Sequence, residues 1–453
     1  MENVQELKND ITDGPISKTI LKLALPVTLG MIMEFALTTT DYFWVGKLGA
    51  TAQDAVTTSM VVIWTIYVMI SIITIGVTAL VARYIGSKDF DKVGFFIRQG
   101  LSLAIIFGLS LSVLGYLVTP ILLSIMDASE ATLVYAIPYL RISFIAAIFF
   151  FWTDTIYAVF RASGDTKTPA TVAIITIIIN MILDPLLIFG YGPFPELGVS
   201  GAAIATTVSI IIAVIIITIL MNKGKLGYKV EKLFNLRPSL KEMLRIIKIG
   251  LPITSQQFVF VIVYWFLIKV VHSFGEAAGA AMGIGNRMES LSYLTCFGFS
   301  TAASTMVGQN LGANKPDRAA KCAWGTTRIA IYVTLVMSAV FIILPKYIAT
   351  IFTDDPAVLT IAIDYLIILG ISQIAMAIEI VIEGAFSGAG DTMPPMIVMI
   401  PGSLARIPLA YYLAYNLEWG INGVWWTLTI TTLIKSSILA IWFAKGNWKK
   451  KEV

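Results

Sequence analysis

Apolar residues run along this chain in long unbroken stretches, not in the alternation of a half-buried strand or the narrow stripe of a surface helix. Stretches long enough to cross a roughly 30 Å hydrocarbon layer as helices fall at about 23–45, 55–82, 95–119, 135–160, 169–191, 198–221, 249–272, 278–307, 324–344, 357–383, 395–415 and 423–443. They predict an all-α polytopic membrane protein with twelve transmembrane helices. Turn-forming residues punctuate the gaps: Gly86-Ser87 after the second stretch, Gly164-Asp165 after the fourth and Gly192-Pro193 after the fifth.

The pattern also repeats. A shift of 226 residues lays Leu25-Pro26 on Leu251-Pro252, Tyr139-Leu140 on Tyr365-Leu366, and Gly164-Asp165-Thr166 on Gly390-Asp391-Thr392. Past the fifth helix the shift becomes 222, and Gly198 and Gly201 meet Gly420 and Gly423. Six helices per copy is an even number, so both copies enter the bilayer the same way round, a parallel repeat about an axis along the membrane normal. The expected domains are an N-terminal six-helix bundle over 1–221, a connector over 222–248 and a C-terminal six-helix bundle over 249–453, facing each other across a cleft. Ser239 to Glu242 has the form of a capping box that opens an amphipathic stretch, read as an interfacial helix leading into the seventh span.

Charge decides orientation. The termini and the even-numbered connections carry 25 Lys and Arg, against Lys47 and Lys346 in the odd-numbered ones. By the positive-inside rule both termini and the connector are cytoplasmic, in the plasma membrane. The net charge of +4 therefore reports topology, and no basic stripe suggests a nucleic-acid partner. Of the 453 residues 57% are apolar and 13% charged, far from soluble composition. The N-terminal segment, with Glu2, Glu6, Asp10 and Asp13, lacks the build of a cleaved signal, so the first span is expected to act as its own insertion signal. Two isolated cysteines, Cys296 and Cys322, suggest helix packing instead of a disulfide or metal site.

Acids inside spans carry the candidate chemistry, because an Asp at a helix centre costs about 2.5 to 3.5 kcal/mol to insert. Asp41 lies about 27 Å along the first helix from Leu23, in the outer part of the layer, on a helix that also carries Pro26, Glu34 and Thr38 to Thr40. Asn180 and Asp184 are four apart and share one face of the fifth helix, Asp184 about 22 Å from the inner side. Tyr139 falls at comparable depth. These four could converge inside the first bundle; the competing reading leaves each as a separate interface residue, with Asp184 answering a backbone group freed by Pro185. The repeat bears on this choice, since Asp41 maps to Leu267 and Asp184 to Ala410 or Ile407. A purely architectural pair would be expected in both halves, so the asymmetry favours a proton or cation site.

Other ionisable residues read more plainly. Glu379, Glu383 and Lys269 are placed where snorkelling suffices, Arg287, Glu289, Arg406 and Lys435 either line the second bundle's cleft or pair between helices, and His272 is an outer-end surface residue. The roles of Arg141 and Asp154 stay open. No GxxxxGK[ST], HExxH, GxSxG or CxxC is present, so neither ATP hydrolysis nor an enzyme activity is indicated.

Leu25-Pro26, Asp41-Tyr42 with Gly46 and Gly49, Arg161 to Pro169 (RASGDTKTP) and Asn180 to Gly190 (NMILDPLLIFG) together resemble the multidrug and toxic compound extrusion (MATE) family over nearly the whole chain. Asp41 with Asp184 is similar to the branch named after a DNA-damage-inducible bacterial protein. Gln256 and Gln257 stand where another branch keeps a seventh-helix Glu. The resemblance implies two bundles in a V and an antiporter that expels amphipathic, often cationic drugs by alternating access while admitting protons or sodium. Asp41 would be the main coupling acid with Asp184, Asn180 and Tyr139 its network, Thr206 an extra oxygen ligand and Pro26 a hinge, any sodium lying at Asp41, Asn180 and Asp184. The partners expected are small-molecule drugs and the bilayer, with no cofactor beyond the coupling ion and a monomeric state. Two alternatives remain: a flippase of a lipid-linked sugar precursor, which needs a large cationic cleft, and a non-transporting scaffold or receptor, which leaves the buried acids unexplained.

Overall fold

The computed structural model describes residues 11–452 other than Asp127, Lys229, Glu231 and Lys232; the polar segment 1–10 lies outside the described residues. These are almost entirely helical, with no strand among them. The spans are α1 (Ile16–Gly46), α2 (Ala50–Gly86), α3 (Phe90–Ile125), α4 (Glu130–Ala162), α5 (Lys167–Phe189), α6 (Val199–Asn222), α7 (Leu240–His272), α8 (Glu276–Gly312), α9 (Pro316–Ile343), α10 (Pro356–Ala389), α11 (Met393–Asn416) and α12 (Ile421–Ala444). Most outrun their apolar stretches, because hydropathy marks only the part in hydrocarbon. Polar ends continue the helix and cap it: the side chains of Asp89, Ser129 and Asp355 accept backbone N–H groups at the starts of α3, α4 and α10. The repeated Gly-Asp-Thr is such a device. Gly164 takes φ +85° and Gly390 φ +73°, and Asp165 then accepts from the Thr168 N–H at 2.9 Å and hydroxyl at 2.6 Å to open α5.

Three elements depart from the sequence reading. Eleven of the twelve helices are apolar enough to count as spans by composition, but α8 is not. It carries Asn286, Arg287 and Glu289 and buries a run of small residues, Ala302 to Thr305 and Gly308, so its partners are other helices and it need not be apolar all round. The amphipathic stretch and the seventh span are one continuous helix, α7, not an interfacial helix followed by a span. The capping box is not formed reciprocally: the Ser239 N–H donates to Gln99 Oε1 at 2.8 Å, and Glu242 pairs with Arg245 at 3.3 Å. The third is α11, broken at Ala405 between Pro401 and Pro408 and closed by a π turn over Tyr412–Asn416, as expected where prolines remove two ladder donors.

Two compact units emerge, and their boundaries fall inside helices instead of at the connector. The first takes Leu29–Gly250, including the start of α7. Among the described residues, the second takes 11–28 together with those from Leu251 onward. Thus 222–250 belongs to the first unit, while the early turns of α1 bury Ile20, Leu23 and Ala24 against Cys296, Phe299, Ala303 and Phe386. The residues before α1 are fastened to the same unit: Asn310 donates to the Ile11 carbonyl at 3.3 Å, and Lys315 pairs with Asp13 at 2.5 Å. The hydrogen bond from Lys315 holds the Asp13 carboxyl below its usual range, but the pair is exposed and contributes little stability.

The repeat is visible at the closest helix crossings. In the first unit Gly250 lets α7 approach α2 so closely that an added Cβ would overlap the Ile72 carbonyl. In the second unit the equivalent pair, 226 residues away, is Ala24 and Gly298, and the glycine has moved to the other helix; its added Cβ would come 2.9 Å from the Ala24 carbonyl and collide with the Thr28 hydroxyl. At Gly388 of α10 an added Cβ would overlap the Ser304 carbonyl of α8. Backbone cannot give way as a flexible side chain can, so Gly388→Val is expected to lower stability by about 3 kcal/mol or more, at the upper end of overpacking costs. Thermal unfolding of the purified protein in detergent, against the parent, measures it.

Candidate functional site

Within the first unit α1, α4, α5 and α6 place the five candidate residues together. Gly201 brings α6 against the α5 backbone at Leu187, close enough that a Cβ would overlap the Leu187 carbonyl, and this crossing sets Thr206 beside Asn180. Asn180 and Asp184, on one face of α5, are 1% and 0% exposed. Asp41, reaching in from the C-terminal part of α1, has its carboxyl within hydrogen-bond reach of the Asp184 carboxyl. The Asn180 amide is best satisfied with Nδ2 donating to Asp41 Oδ1 at 3.2 Å and Oδ1 accepting from the Thr206 N–H at 3.0 Å. The Thr206 hydroxyl also lies 3.1 Å from the Ala202 carbonyl. Tyr139 is buried among Val45, Val56, Ile188 and Ala202, and its hydroxyl lies within electrostatic reach of both acids.

Convergence is therefore what the fold produces, and the alternative of unrelated interface residues is not. Helix α5 passes through Pro185 unbroken. Asp184 answers Asp41 instead of a freed carbonyl, and its Oδ1 is buried without a hydrogen-bond partner. Two carboxyls in contact need a proton or another cation between them. The atoms offered to a cation are the carboxyl oxygens of two acids and neutral hydroxyls, with the Asn180 Nδ2 donating to Asp41, and among the described residues no group of three or more His, Cys, Asp or Glu is arranged to hold a metal. Such a set suits a proton or a monovalent hard cation better than a transition metal.

Pro26 is not in this group. It lies in the part of α1 that belongs to the second unit, two residues before the chain joins the first.

In the second unit Glu379, read from the sequence as snorkelling, is paired between helices instead, and interhelical pairing is one of the two readings the sequence offers for Lys435 and Arg406. Lys435 Nζ contacts Glu379 Oε1 at 2.9 Å with the two side chains 4% and 15% exposed, a buried ion pair. Arg406, at the break in α11, donates to Thr431 at 2.9 Å and Thr432 at 3.1 Å. Arg287 is exposed. The overlooked signal was spacing: Glu379 and Glu383 are one helical turn apart on a face that also meets Lys435 of α12.

Comparison with known proteins agrees with this anatomy. The MatE family profile matches residues 26–186 and again 252–412, two stretches offset by the same 226 residues as the internal repeat. A probable multidrug resistance protein NorM of Thermotoga maritima is 28% identical over 445 residues, covering 97% of this chain and 94% of that protein. An FAD transporter of Shewanella oneidensis is 27% identical, covering 94% of each. In fold, the chain superposes on a multidrug resistance MATE family transporter of the MOP superfamily in its outward-facing conformation, with TM-score 0.90, 23% identity and coverage of 100% and 99%. With the profile matched in both repeats and over more than half of its length, the chain belongs to the MatE family, whose members are multi-pass membrane transporters and not enzymes.

Proposed function

We propose that the chain is a cation-coupled antiporter that exports amphipathic, often cationic compounds across the plasma membrane by alternating access, driven by a proton or sodium gradient. The observation that carries this reading is the Asp41, Asp184, Asn180 and Thr206 cluster, present in the first unit only; its counterparts in the second half are Leu267 and Ala410 or Ile407. Asp41 is the main coupling acid, Asp184, Asn180 and Tyr139 complete its network, Thr206 supplies an oxygen, and Pro26 is the hinge. The acid pair supports a likeness to the branch named after a DNA-damage-inducible bacterial protein. The multidrug names of the relatives support the substrate class. A lipid-linked sugar flippase is less well supported, because the second unit's buried cations Arg406 and Lys435 are engaged by Thr431, Thr432 and Glu379 instead of standing free for a pyrophosphate. A non-transporting scaffold would have no use for the acid cluster.

Proteoliposomes with separately imposed proton and sodium gradients test the reading, using a lipophilic fluorescent cation as cargo. Uphill extrusion should follow one of the gradients and vanish without either. Extrusion indifferent to both would sink it.

Orientation is checked by single introduced cysteines, since the native Cys296 and Cys322 are buried. Lys47→Cys is expected to react with an impermeant maleimide on intact cells, and Lys225→Cys only after permeabilisation, both positions being exposed. The reverse pattern would put the termini outside.

A further inference from the structure

One span of the first unit carries a cation that no acid answers. Arg141 of α4 lies six residues, or about 9 Å, inside the apolar stretch that begins at 135. Among the described residues no carboxylate pairs with it, and its Nε–H is buried without an acceptor. The guanidinium lies 4.7 Å over the ring of Tyr116 of α3. Stacking of this kind holds the plane of the group and leaves the donors on its edge available.

Helices α3 and α4 cross closely at this place. A Cβ added at Gly108 would come 2.7 Å from the Ile148 Cα, and one added at Gly115 would overlap the Phe144 ring. Ser112 lies between those two glycines and one turn before Tyr116, and Arg141 lies one turn before Phe144 and Ile145. The Ser112 hydroxyl is buried and also lacks a partner. The repeat shows what a packing role looks like. The serine's counterpart, Ser338 of α9, donates to the Gly370 carbonyl of α10 at 2.6 Å, and Tyr116 and Arg141 correspond to Ile342 and Ile367. The first unit thus carries a stacked cation where the second carries two isoleucines, and its serine lacks the acceptor that the second unit supplies.

Two buried donors and an unanswered positive charge call for an anion. Side chains on a helix lean toward its N-terminus, so Arg141 reaches toward the end at which α3 passes into α4, the level of the headgroups. Beside it Leu109, Val113 and Leu117 of α3 are each more than half exposed, an apolar surface that acyl chains would cover. Phosphate offers paired oxygens in the spacing that a guanidinium edge matches. We propose that Arg141, Tyr116 and Ser112 hold the phosphodiester of an anionic glycerophospholipid at the edge formed by α3 and α4, its chains lying over Leu109, Val113 and Leu117. The leaflet is the one next to the connection between these helices, the outer leaflet in the orientation proposed above. A free phosphate has the same headgroup chemistry but nothing to lay on the apolar surface.

Native mass spectrometry of the full-length protein in a neutral detergent tests the site, with dioleoylphosphatidylglycerol, dioleoylphosphatidylcholine and glycerol 3-phosphate added separately. One phosphatidylglycerol should stay on the parent at collision energies that strip phosphatidylcholine, and glycerol 3-phosphate should leave no adduct. Arg141→Gln should weaken that phosphatidylglycerol about tenfold or more, the loss of a hydrogen-bonded charge, and Arg141→Lys by less, because it keeps the charge and loses the planar edge. Phosphatidylglycerol should also raise the melting temperature of the parent and not that of Arg141→Gln. If Arg141→Gln does not fold, Tyr116→Leu, at a position 40% exposed, takes its place with the same expected loss. An undiminished adduct in whichever of the two folds overturns the site. Equal retention of phosphatidylcholine overturns the choice of an anionic lipid, and a glycerol 3-phosphate adduct of equal strength overturns the lipid in favour of a soluble anion.

Discussion

Asp41→Asn is expected to reduce gradient-driven efflux to the level of protein-free liposomes while leaving thermal stability near that of the parent. Asn has the size of Asp and still reaches Asn180 and Asp184, so the cluster of α1 and α5 can close; what it cannot do is gain and lose a charge. A carboxylate buried this way favours one arrangement of the helices when a proton or sodium neutralises it and another when it is bare, and a permanently neutral side chain removes the difference between those states. Asp184→Asn should have a similar effect. The double variant should cost little more than either single one, because the two carboxyls act as one site. Asn180→Leu keeps both acids and removes a hydrogen bond to a charged group; weaker ion dependence by about tenfold or more is expected, the equivalent of about 1.5 to 3 kcal/mol. The half-saturating ion concentration in proteoliposomes measures it. Normal gradient-driven efflux by a well-folded Asp41→Asn protein would rule out this cluster as the coupling element.

Much of this site was legible in the sequence because its signals were local or repeated. Asn180 and Asp184 declare a shared face by spacing alone, and the 226-residue shift exposes Asp41 as an acid with an apolar counterpart, Leu267. Depth counting put them at one level. What spacing could not give was the side-chain direction of the second unit's charges. Glu379 sits far enough along α10 for snorkelling to seem sufficient, yet Gly402, a residue without chemistry of its own, opens the space through which Lys435 reaches it. The unit boundary was hidden for a related reason. A connector rich in Lys looks like the place where one bundle ends, but the tight crossing of Gly250 on Ile72 attaches the first turns of α7 to α2, and the burial of Ile20, Leu23 and Ala24 attaches the start of α1 to the second unit. Close approach of small residues decides membership, and hydropathy is blind to it. The polarity of α8 did not hide it from the sequence reading, which marks a span at 278–307, and a helix surrounded by helices can carry Asn286 and Glu289 and still lie within a membrane protein.

Pro26→Ala is expected to separate transport from stability. Proline inside a helix removes a ladder donor and clashes with the preceding turn, a cost of about 3 kcal/mol in a regular interior, so alanine should leave the melting temperature unchanged or raise it. Transport should nevertheless fall steeply. Helix α1 belongs to the second unit as far as Thr28 and to the first from Leu29, so Pro26 stands next to the point where one helix passes from packing on α8 to carrying Asp41 toward α5. A straightened, stiffened α1 would hold Asp41 in one relation to Asp184 and Asn180, where coupling requires two. The repeat supplies the control. Pro252 stands in α7 next to the corresponding passage, between Gly250 and Leu251, and Pro252→Ala should stiffen that helix equally. Beyond it, however, the position equivalent to Asp41 is Leu267, fully buried and without charge. Stiffening α7 should therefore affect stability as in α1 but leave most of the transport rate. Measuring melting temperature and initial efflux rate for both variants in one membrane preparation decides the matter: equal losses of transport would make the two prolines shared architecture, and a loss confined to Pro26→Ala would tie the bend in α1 to the ion it carries.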